Sequence, residues 1–291
     1  MPIKHAQLRA FHAVATEGSF TRAAEALRVT QPTLSGQVKA LEESYGVRLL
    51  DRLGRRVSPT PLGMALLDVT RRLFNAEEEA EQLLAAARGL TRGHLRIGAD
   101  APYSIVPIIA EFNRRYPGLT VSIAIGNSDQ VLEDLFDHET DVAMLANIGG
   151  DPRLHIRPFH KDRLVLFVER NHPWTRRKRV RLAELVSQRM ILRERGSTTR
   201  RIFETAVARA GLELSDVLEI SSREGVREAV AAGLGVGIVA KTEFGNDPRV
   251  RAIEVVDADL TSMEYVVCLA ERRSLRIVSA FLELVEEAAR L

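Results

Sequence analysis

The chain has 291 residues, of which 45% are hydrophobic and 27% are charged, a composition typical of a soluble globular protein with two or three domains. Its single cysteine, Cys268, excludes an internal disulfide and a multi-cysteine zinc site. Because no apolar run approaches about 18 residues and no signal segment opens the chain, we expect a cytoplasmic protein without a membrane span. Residues 1–60 carry a net charge of +4 and the remainder −2, which favours an anionic partner for the N-terminal part.

Residues 19–45 predict a helix, a tight turn and a second helix. We expect Ser19 to cap an alanine-rich helix over Thr21–Arg28, and Thr30 to cap the helix that follows. An earlier helix over Ile3–Thr16 would complete a three-helix core.

The second helix of this pair has two unlike faces. Leu34, Val38, Leu41 and Tyr45 recur at helical spacing and predict one buried stripe. A helix with a neutral, polar outer face, placed after a compact helix and a short turn, suits the major groove of DNA. An ordinary helical hairpin is the alternative. The outer face consists of Pro32, Thr33, Ser35, Gly36 and Lys39.

Two short extended pieces follow, on either side of Gly54. Arg52, Arg55 and Arg56 surround the turn between them. This pattern predicts a β-wing whose arginines contact backbone phosphates. The alternative is a solvated basic hairpin.

A long helix is predicted from Thr60 to Leu90. Its apolar residues recur at alternating steps of four and three over four heptads, which indicates a coiled-coil partner and hence a dimer. Packing of this helix on its own chain is the alternative. The seam consists of Leu62, Leu66, Val69, Leu73, Ala76, Ala80, Leu83, Ala87 and Leu90.

From His94 onward, strands and helices alternate in two successive runs, which predicts two α/β lobes around a cleft. The expected strands are His94–Ala99, Thr120–Gly126, Asp141–Asn147, His155–His160, Arg163–Val168, Met190–Arg193, Val217–Ser221, Val236–Ala240 and Met263–Leu269. The expected helices are Tyr103–Tyr116, Ser128–His138, Thr198–Ala210, Ser222–Ala232 and Leu275–Leu291.

Small polar residues follow several of these strands, where ligands of α/β lobes bind. Each residue alone is more often a plain helix cap, and Ser221 with Glu224 fits a capping box. Their convergence on one crevice nevertheless predicts a small-molecule site. The candidates are Asp100, Ser104, Asn127, Ser128, Asn147, Ser197, Thr198, Thr199, Ser221 and Ser222.

Over its whole length the chain resembles a LysR-type transcriptional regulator. The segments that carry the resemblance are GSFTRAAEALRVTQPTLSGQVKALEESYGVRLLDR, the helix from Thr60, LRIGA, NRRYPGL and VAAGLGVGIV. The resemblance implies a winged helix-turn-helix domain (residues 1–59), a linker and dimerisation helix (60–90) and a two-lobed effector-binding domain similar to periplasmic binding proteins (91–291). Lobe I would comprise residues 91–162 and 268–291, and lobe II residues 163–267.

The resemblance further implies a dimer or dimer of dimers that binds an interrupted palindrome in double-stranded DNA, responds to a small effector and contacts RNA polymerase. It assigns DNA contacts to Gln31, Pro32, Thr33 and Ser35 on the recognition helix and to Arg52 and Arg55 on the wing. It assigns the effector pocket to Asp100, Ala101, Pro102, Asn127, Ser128, Asn147, Ser197, Thr198, Thr199, Ser221, Ser222 and Arg223.

Helix N-termini with hydroxyl groups suit an anionic effector, and Arg193, Arg195, Arg200 and Arg223 would add positive charge. Asp100 would hold an ammonium group instead. Together these favour a zwitterion with its anionic end on the second lobe. The segments GADAPY, IGNS and RERGSTTR also resemble regulators associated with aminoethylphosphonate catabolism.

Two other classes of protein compete with this interpretation. An enzyme lacks support, because the Gly233, Gly235 and Gly237 pattern lies between a helix and a strand, whereas a dinucleotide fingerprint follows a strand and opens a helix. No catalytic, cofactor or metal motif is recognised. A small-molecule-binding protein without a DNA role is the second alternative, and the basic head and heptad helix count against it.

Overall fold

The computed structural model describes residues 2–53, 56–86, 93–101 and 103–290. The chain divides into two compact units, Met1–Leu84 and Ala85–Leu291. Within the described ranges, no helix combines the length and apolar character needed to cross a bilayer.

The first unit begins with three helices, α1 (His5–Glu17), α2 (Phe20–Leu27) and α3 (Gln31–Tyr45). The predicted caps are confirmed, because the Ser19 and Thr30 hydroxyls accept hydrogen bonds from backbone N–H groups three residues later. Leu34, Val38 and Leu41 are buried against Phe11.

The predicted stripe was wrong at its last member. Tyr45 is 53% exposed, because α3 ends there and the chain turns away at Gly46, which adopts a left-handed backbone conformation.

A two-stranded antiparallel wing follows, formed by β1 (Leu50–Leu53) and β2 (Arg56–Pro59). Glu42 of α3 positions its entrance, since one carboxylate oxygen accepts hydrogen bonds from the backbone N–H groups of Leu49 (2.8 Å) and Leu50 (3.2 Å). The wing is therefore held to the helix predicted to read DNA.

The long helix α4 spans Pro61–Ala86 in the described part of the chain. Ala87 and Leu90 of the predicted seam lie outside the described residues, and so does the side chain of Leu83. Leu67 packs into the core of the first unit, whereas Leu62, Val69 and Leu73 are 40–51% exposed. That apolar face is open in the single chain, as a coiled-coil partner would require.

The second unit contains one continuous sheet with the strand order β4-β3-β5-β12-β6-β10-β8-β9, and β11 pairs with β6 and β7. Its strands are β3 (Gly93–Ala99), β4 (Leu119–Ile125), β5 (Val142–Ala146), β6 (Leu154–Glu169), β7 (Arg179–Val180), β8 (Arg189–Leu192), β9 (Asp216–Glu219), β10 (Val236–Ala240), β11 (Val250–Val255) and β12 (Thr261–Leu269). Its helices are α5 (Val106–Arg115), α6 (Ser128–Phe136), α7 (Thr198–Arg209), α8 (Arg223–Ala231) and α9 (Arg276–Ala288).

The two strands predicted at His155–His160 and Arg163–Val168 are one strand, β6, which runs through both lobes. Its first part pairs with β12, and its last part pairs with β10 and β11. The middle of β6 is polar because neither lobe's core covers it there, and this interrupted the apolar pattern on which the prediction rested.

The chain also returns to the first lobe earlier than expected. All of β12 pairs with β6, from the Thr261–Arg163 pair to the Leu269–Leu154 pair. The sheet therefore places residues 261–290 in lobe I, rather than only those from 268, and lobe II ends near residue 260. Each lobe has its own apolar core.

Candidate DNA-binding surface and effector cleft

The first turn of α3 presents polar residues to solvent because the apolar stripe faces inward. Gln31, Pro32 and Thr33 are exposed, Ser35 is half-buried and Lys39 is exposed. Lys39 lies 3.5 Å from Glu43, but both side chains are more than 65% exposed, so this pair contributes little energy and does not hold the ammonium group in place.

Gly36 leaves open space on the same surface. A Cβ atom placed there would meet nothing within 4 Å. A large partner can therefore approach the backbone of α3 closely at Gly36.

The backbones of Arg52 and Arg56 lie in the paired strands of the wing, opposite Val57 and Leu53 respectively. Arg55 lies outside the described residues, as do the side chains of the other two arginines. The phosphate-contacting role of all three stays a prediction.

In the second unit, the carboxyl ends of the strands meet at a cleft between the lobes. The cleft is nearly closed, with a cavity of about 20 Å³, which is enough for one water molecule. Its lining includes seven of the predicted effector residues. The full lining is Asp100, Asn127, Ser128, Ala146, Arg193, Ser197, Thr198, Thr199, Arg223, Ala240, Glu243, Ser262 and Glu264.

Hydrogen bonds join the two walls directly. The Thr198 hydroxyl of lobe II donates to the Ser128 hydroxyl of lobe I (2.8 Å), and Ser128 donates to a carboxylate oxygen of Asp100 (2.6 Å). All three side chains are buried. Any widening of the cavity at this point requires these hydrogen bonds to break.

Two of the four arginines expected near the effector line the cleft. The guanidinium of Arg193 donates two hydrogen bonds, each 2.8 Å long, to the carboxylate of Glu194. The Nε of Arg223 lies 2.7 Å from a carboxylate oxygen of Glu243. Arg200 points elsewhere, to the backbone oxygen of Arg193 and to two acids of its own lobe. Arg195 is exposed and does not line the cavity.

The sequence reasoning missed two buried acids in the cleft, Glu243 and Glu264, which are 5% and 4% exposed. Burial raises the pKa of Glu243, and it raises the pKa of Glu264 to about 7. A signal existed for Glu264, since β12 alternates between inward and outward residues and Glu264 occupies an inward position.

Several predicted effector residues have other environments. Pro102 lies outside the described residues, and Ala101 is buried without lining the cavity. Asn147 accepts a hydrogen bond from the backbone of Met263. Ser221 and Ser222 line a neighbouring open pocket.

Two further serine predictions needed revision. Ser222, rather than Ser221, caps α8, because its hydroxyl accepts from the backbone N–H of Gly225 (2.9 Å). Ser104 does not line the cavity, but it lies near Glu264 and lowers the pKa of that carboxyl group.

Comparison with known families identifies both units. Residues 5–64 match the model of the bacterial regulatory helix-turn-helix proteins of the lysR family, and residues 88–290 match the LysR substrate binding domain. The chain therefore belongs to the LysR family of transcriptional regulators, which are not enzymes and which combine a DNA-binding domain with a small-molecule effector domain.

Three similar proteins illustrate the match. The transcriptional activator CmpR of Synechocystis is 36% identical over 80% of this chain and 78% of its own. The RuBisCO operon transcriptional regulator of Acidithiobacillus ferrooxidans is 32% identical over 97% of this chain and 94% of its own. The regulatory domain of Synechocystis CcmR, solved in complex with 2-PG, is 25% identical with a TM-score of 0.62, covering 68% of this chain and 98% of that one.

Proposed function

We propose that this regulator couples a small effector in the inter-lobe cleft to DNA binding by α3 and the wing. The observation that carries the proposal is the closed cleft, in which Thr198, Ser128 and Asp100 form a hydrogen-bonded bridge between the lobes. Because widening the cavity breaks that bridge, effector binding changes the relation between the lobes. The change would be passed to the DNA-bound head through the dimer.

The proposed DNA contacts are Gln31, Pro32, Thr33, Ser35 and Lys39 for the groove and Arg52, Arg55 and Arg56 for the phosphates. A dimer formed through the exposed face of α4 would present two copies of α3 to an interrupted palindrome. RNA polymerase is proposed as a further partner, in line with the name of the activator CmpR, and the cytoplasm as the place of action.

The effector is proposed to be a small acid. Arg193 and Arg223 and the hydroxyls of Thr198 and Thr199 line one wall of the cleft and would receive its anionic end. Two candidates follow. An aminoethylphosphonate-like zwitterion is suggested by sequence segments alone and has no support among the relatives. 2-PG is the second candidate, suggested by the ligand of CcmR, and the RuBisCO operon regulator points to genes of CO2 fixation.

The first test is DNA binding by the full chain across a salt series, with the region upstream of its own gene as probe. Affinity should fall steeply as salt rises, because phosphate contacts release counterions. Arg56→Ala should make this salt dependence less steep, by about 1 in the slope of log K against log salt for each phosphate contact that is lost. Lys178→Ala, which removes one exposed charge from the second unit, should leave the slope unchanged. Absence of binding at low salt would contradict the proposal.

A further inference from the structure

Glu264 is a buried acid whose hydrogen bonding is incomplete. It is 4% exposed and lines the inter-lobe cavity. One of its carboxylate oxygens, Oε2, is buried and has no hydrogen-bond partner. An unsatisfied buried carboxylate oxygen is costly, so a native protein that keeps one in a binding cleft has a use for it when the cleft is filled.

We propose that the effector carries an ammonium group and that Glu264 is the residue that receives it. The proposal rests on the proposed effector cleft and names the ligand chemistry of that site. It moves the cation contact away from Asp100, where the sequence placed it.

Asp100 is unsuited to that role because it is already engaged in lobe I. One of its carboxylate oxygens accepts both from the Ser128 hydroxyl (2.6 Å) and from the backbone N–H of Ala146 (3.1 Å). Asp100 thus holds Ser128 in place for the contact with Thr198. Its function is to position the bridge between the lobes.

The charge balance of the cleft also favours a cation. Three carboxyl groups line it, those of Asp100, Glu243 and Glu264, against two guanidinium groups. Arg223 is paired with Glu243, and Arg193 is paired with Glu194. Both guanidinium groups thus already have acidic partners within lobe II, whereas no ion pair between described residues involves Glu264. A purely anionic ligand would add a further negative charge to this site.

Proton release accompanies this mode of binding. Burial is the largest cause of the raised pKa of Glu264, and the charges of Asp100, Glu243 and Asp162 raise it further, while Ser104 lowers it. Across the sheet, its register neighbours are Ala146 and His160. An ammonium group favours the carboxylate form, so a proton leaves Glu264 on binding. Affinity should accordingly rise as pH rises through about 7.

The test compares matched ligand pairs by calorimetry on the full chain. 2-Aminoethylphosphonate is paired with ethylphosphonate, and β-alanine with propionate, so that each pair differs only by the amine. We expect at least one amine to bind at least about tenfold more tightly than its partner. Equal or tighter binding of the amine-free partners or of 2-PG would overturn the proposal, and so would the failure of both amines to bind.

Variants of Glu264 assign the effect to this residue. Glu264→Gln should abolish the preference for the amine, Glu264→Asp should keep part of it, and the exposed control Glu213→Gln should keep all of it. Titrations in phosphate and in Tris at pH 7 should show proton release with the wild type and none attributable to this site with Glu264→Gln. Circular dichroism establishes that each variant is folded. An unchanged preference in Glu264→Gln would refute the assignment.

The two proposals fail in different ways. If 2-PG binds and alters DNA affinity while the amines do not, the proposed function is supported and the ammonium-binding role of Glu264 is refuted. If DNA binding is absent at low salt, the proposed function falls whatever the cleft binds.

Discussion

The two units differ in what they bury. Among the described residues of the first unit, the buried polar side chains are Gln7 and Thr70, both uncharged. The described part of the second unit buries eight charged side chains, Asp100, Asp141, Asp162, Arg193, Arg200, Glu243, Glu264 and Arg272. The DNA-binding unit thus has an apolar core, whereas the effector-binding unit also buries charged groups, four of which (Asp100, Arg193, Glu243 and Glu264) line the cleft.

This difference follows from the shape of the two ligands. DNA is larger than the unit that binds it, so its contacts lie on an exposed helix face and wing, and the core only has to hold them rigid. A small effector is enclosed, so its contacts have to be buried before it arrives. Buried charges cost desolvation energy unless each has a partner. The following predictions test this contrast, in order of decreasing effect.

The largest effect is expected in the second unit at Asp141, which is 2% exposed. Its carboxylate lies 2.9 Å from the guanidinium of Arg96 and 3.0 Å from that of Arg272. Arg272 is 3% exposed, and within the described residues its side-chain nitrogens make no hydrogen bond of good geometry, so Asp141 acts as its counter-charge. Asp141→Asn would leave this cation buried without a counter-charge, at an expected cost of about 3–5 kcal/mol.

Amide hydrogen exchange of β3 and β5 measures that cost locally. The control is Glu287→Gln, which weakens the solvent-screened pair between Glu287 and Arg115 and should leave the protection of both strands close to that of the wild type. Equal protection in the two variants would mean that the second unit does not depend on paired buried charge.

The next effect concerns the first unit and two of its glycines. A Cβ atom at Gly63, in the first turn of α4, would lie 2.0 Å from the backbone oxygen of Leu49. Gly63→Ala should therefore destabilise the unit by about 1–3 kcal/mol. Gly36→Ala, where a Cβ meets nothing within 4 Å, should stabilise α3 by about 1 kcal/mol.

Exchange protection of α1 and α3 in the two variants, measured side by side, checks the opposite signs. Destabilisation by both would mean that the surface of α3 is more constrained than its open space indicates. DNA affinity of Gly36→Ala then reports how closely the groove approaches the helix.

The sequence predicted the first unit well because its signals are local. Ser19 and Thr30 as caps, and Leu34, Val38 and Leu41 at helical spacing, depend on residues within one helix, and the structure confirms them. The failure at Tyr45 arose because helical spacing does not say where α3 itself ends, and the chain turns away at Gly46 directly after that residue.

The cleft was harder to predict because its residues come from distant parts of the chain. Those at helix N-termini, such as Ser128 and Thr198, were found because a cap is a local signal. Glu264 is on a strand and Glu243 in a short 3-10 turn, and neither position suggests a ligand until the sheet brings it to the cleft. The continuity of β6 was missed for the same reason, since pairing with β12 and β10 is not a local property.

The smallest effect is a pH dependence in the first unit, at His12 of α1. One ring nitrogen of His12 lies 3.0 Å from the hydroxyl oxygen of Thr70, and the ring centroids of His12 and Phe74 are 5.0 Å apart. Burial lowers the pKa of His12, and the charge of Arg71 lowers it further. Protonation therefore favours the unfolded chain, so the stability from this group is present above pH 6.5 and is lost as pH falls below it.

The measurement is exchange protection of α1 and α4 between pH 7.5 and 5.5, corrected for the intrinsic effect of pH on exchange. Wild type should lose less than about 1 kcal/mol over this interval, and His12→Asn should lose less than wild type. The control His5→Asn changes a half-exposed histidine that contacts the same Phe74 ring and should keep the wild-type dependence. If His12→Asn showed the same pH dependence as the wild type, His12 would not be the group that links the stability of the first unit to pH.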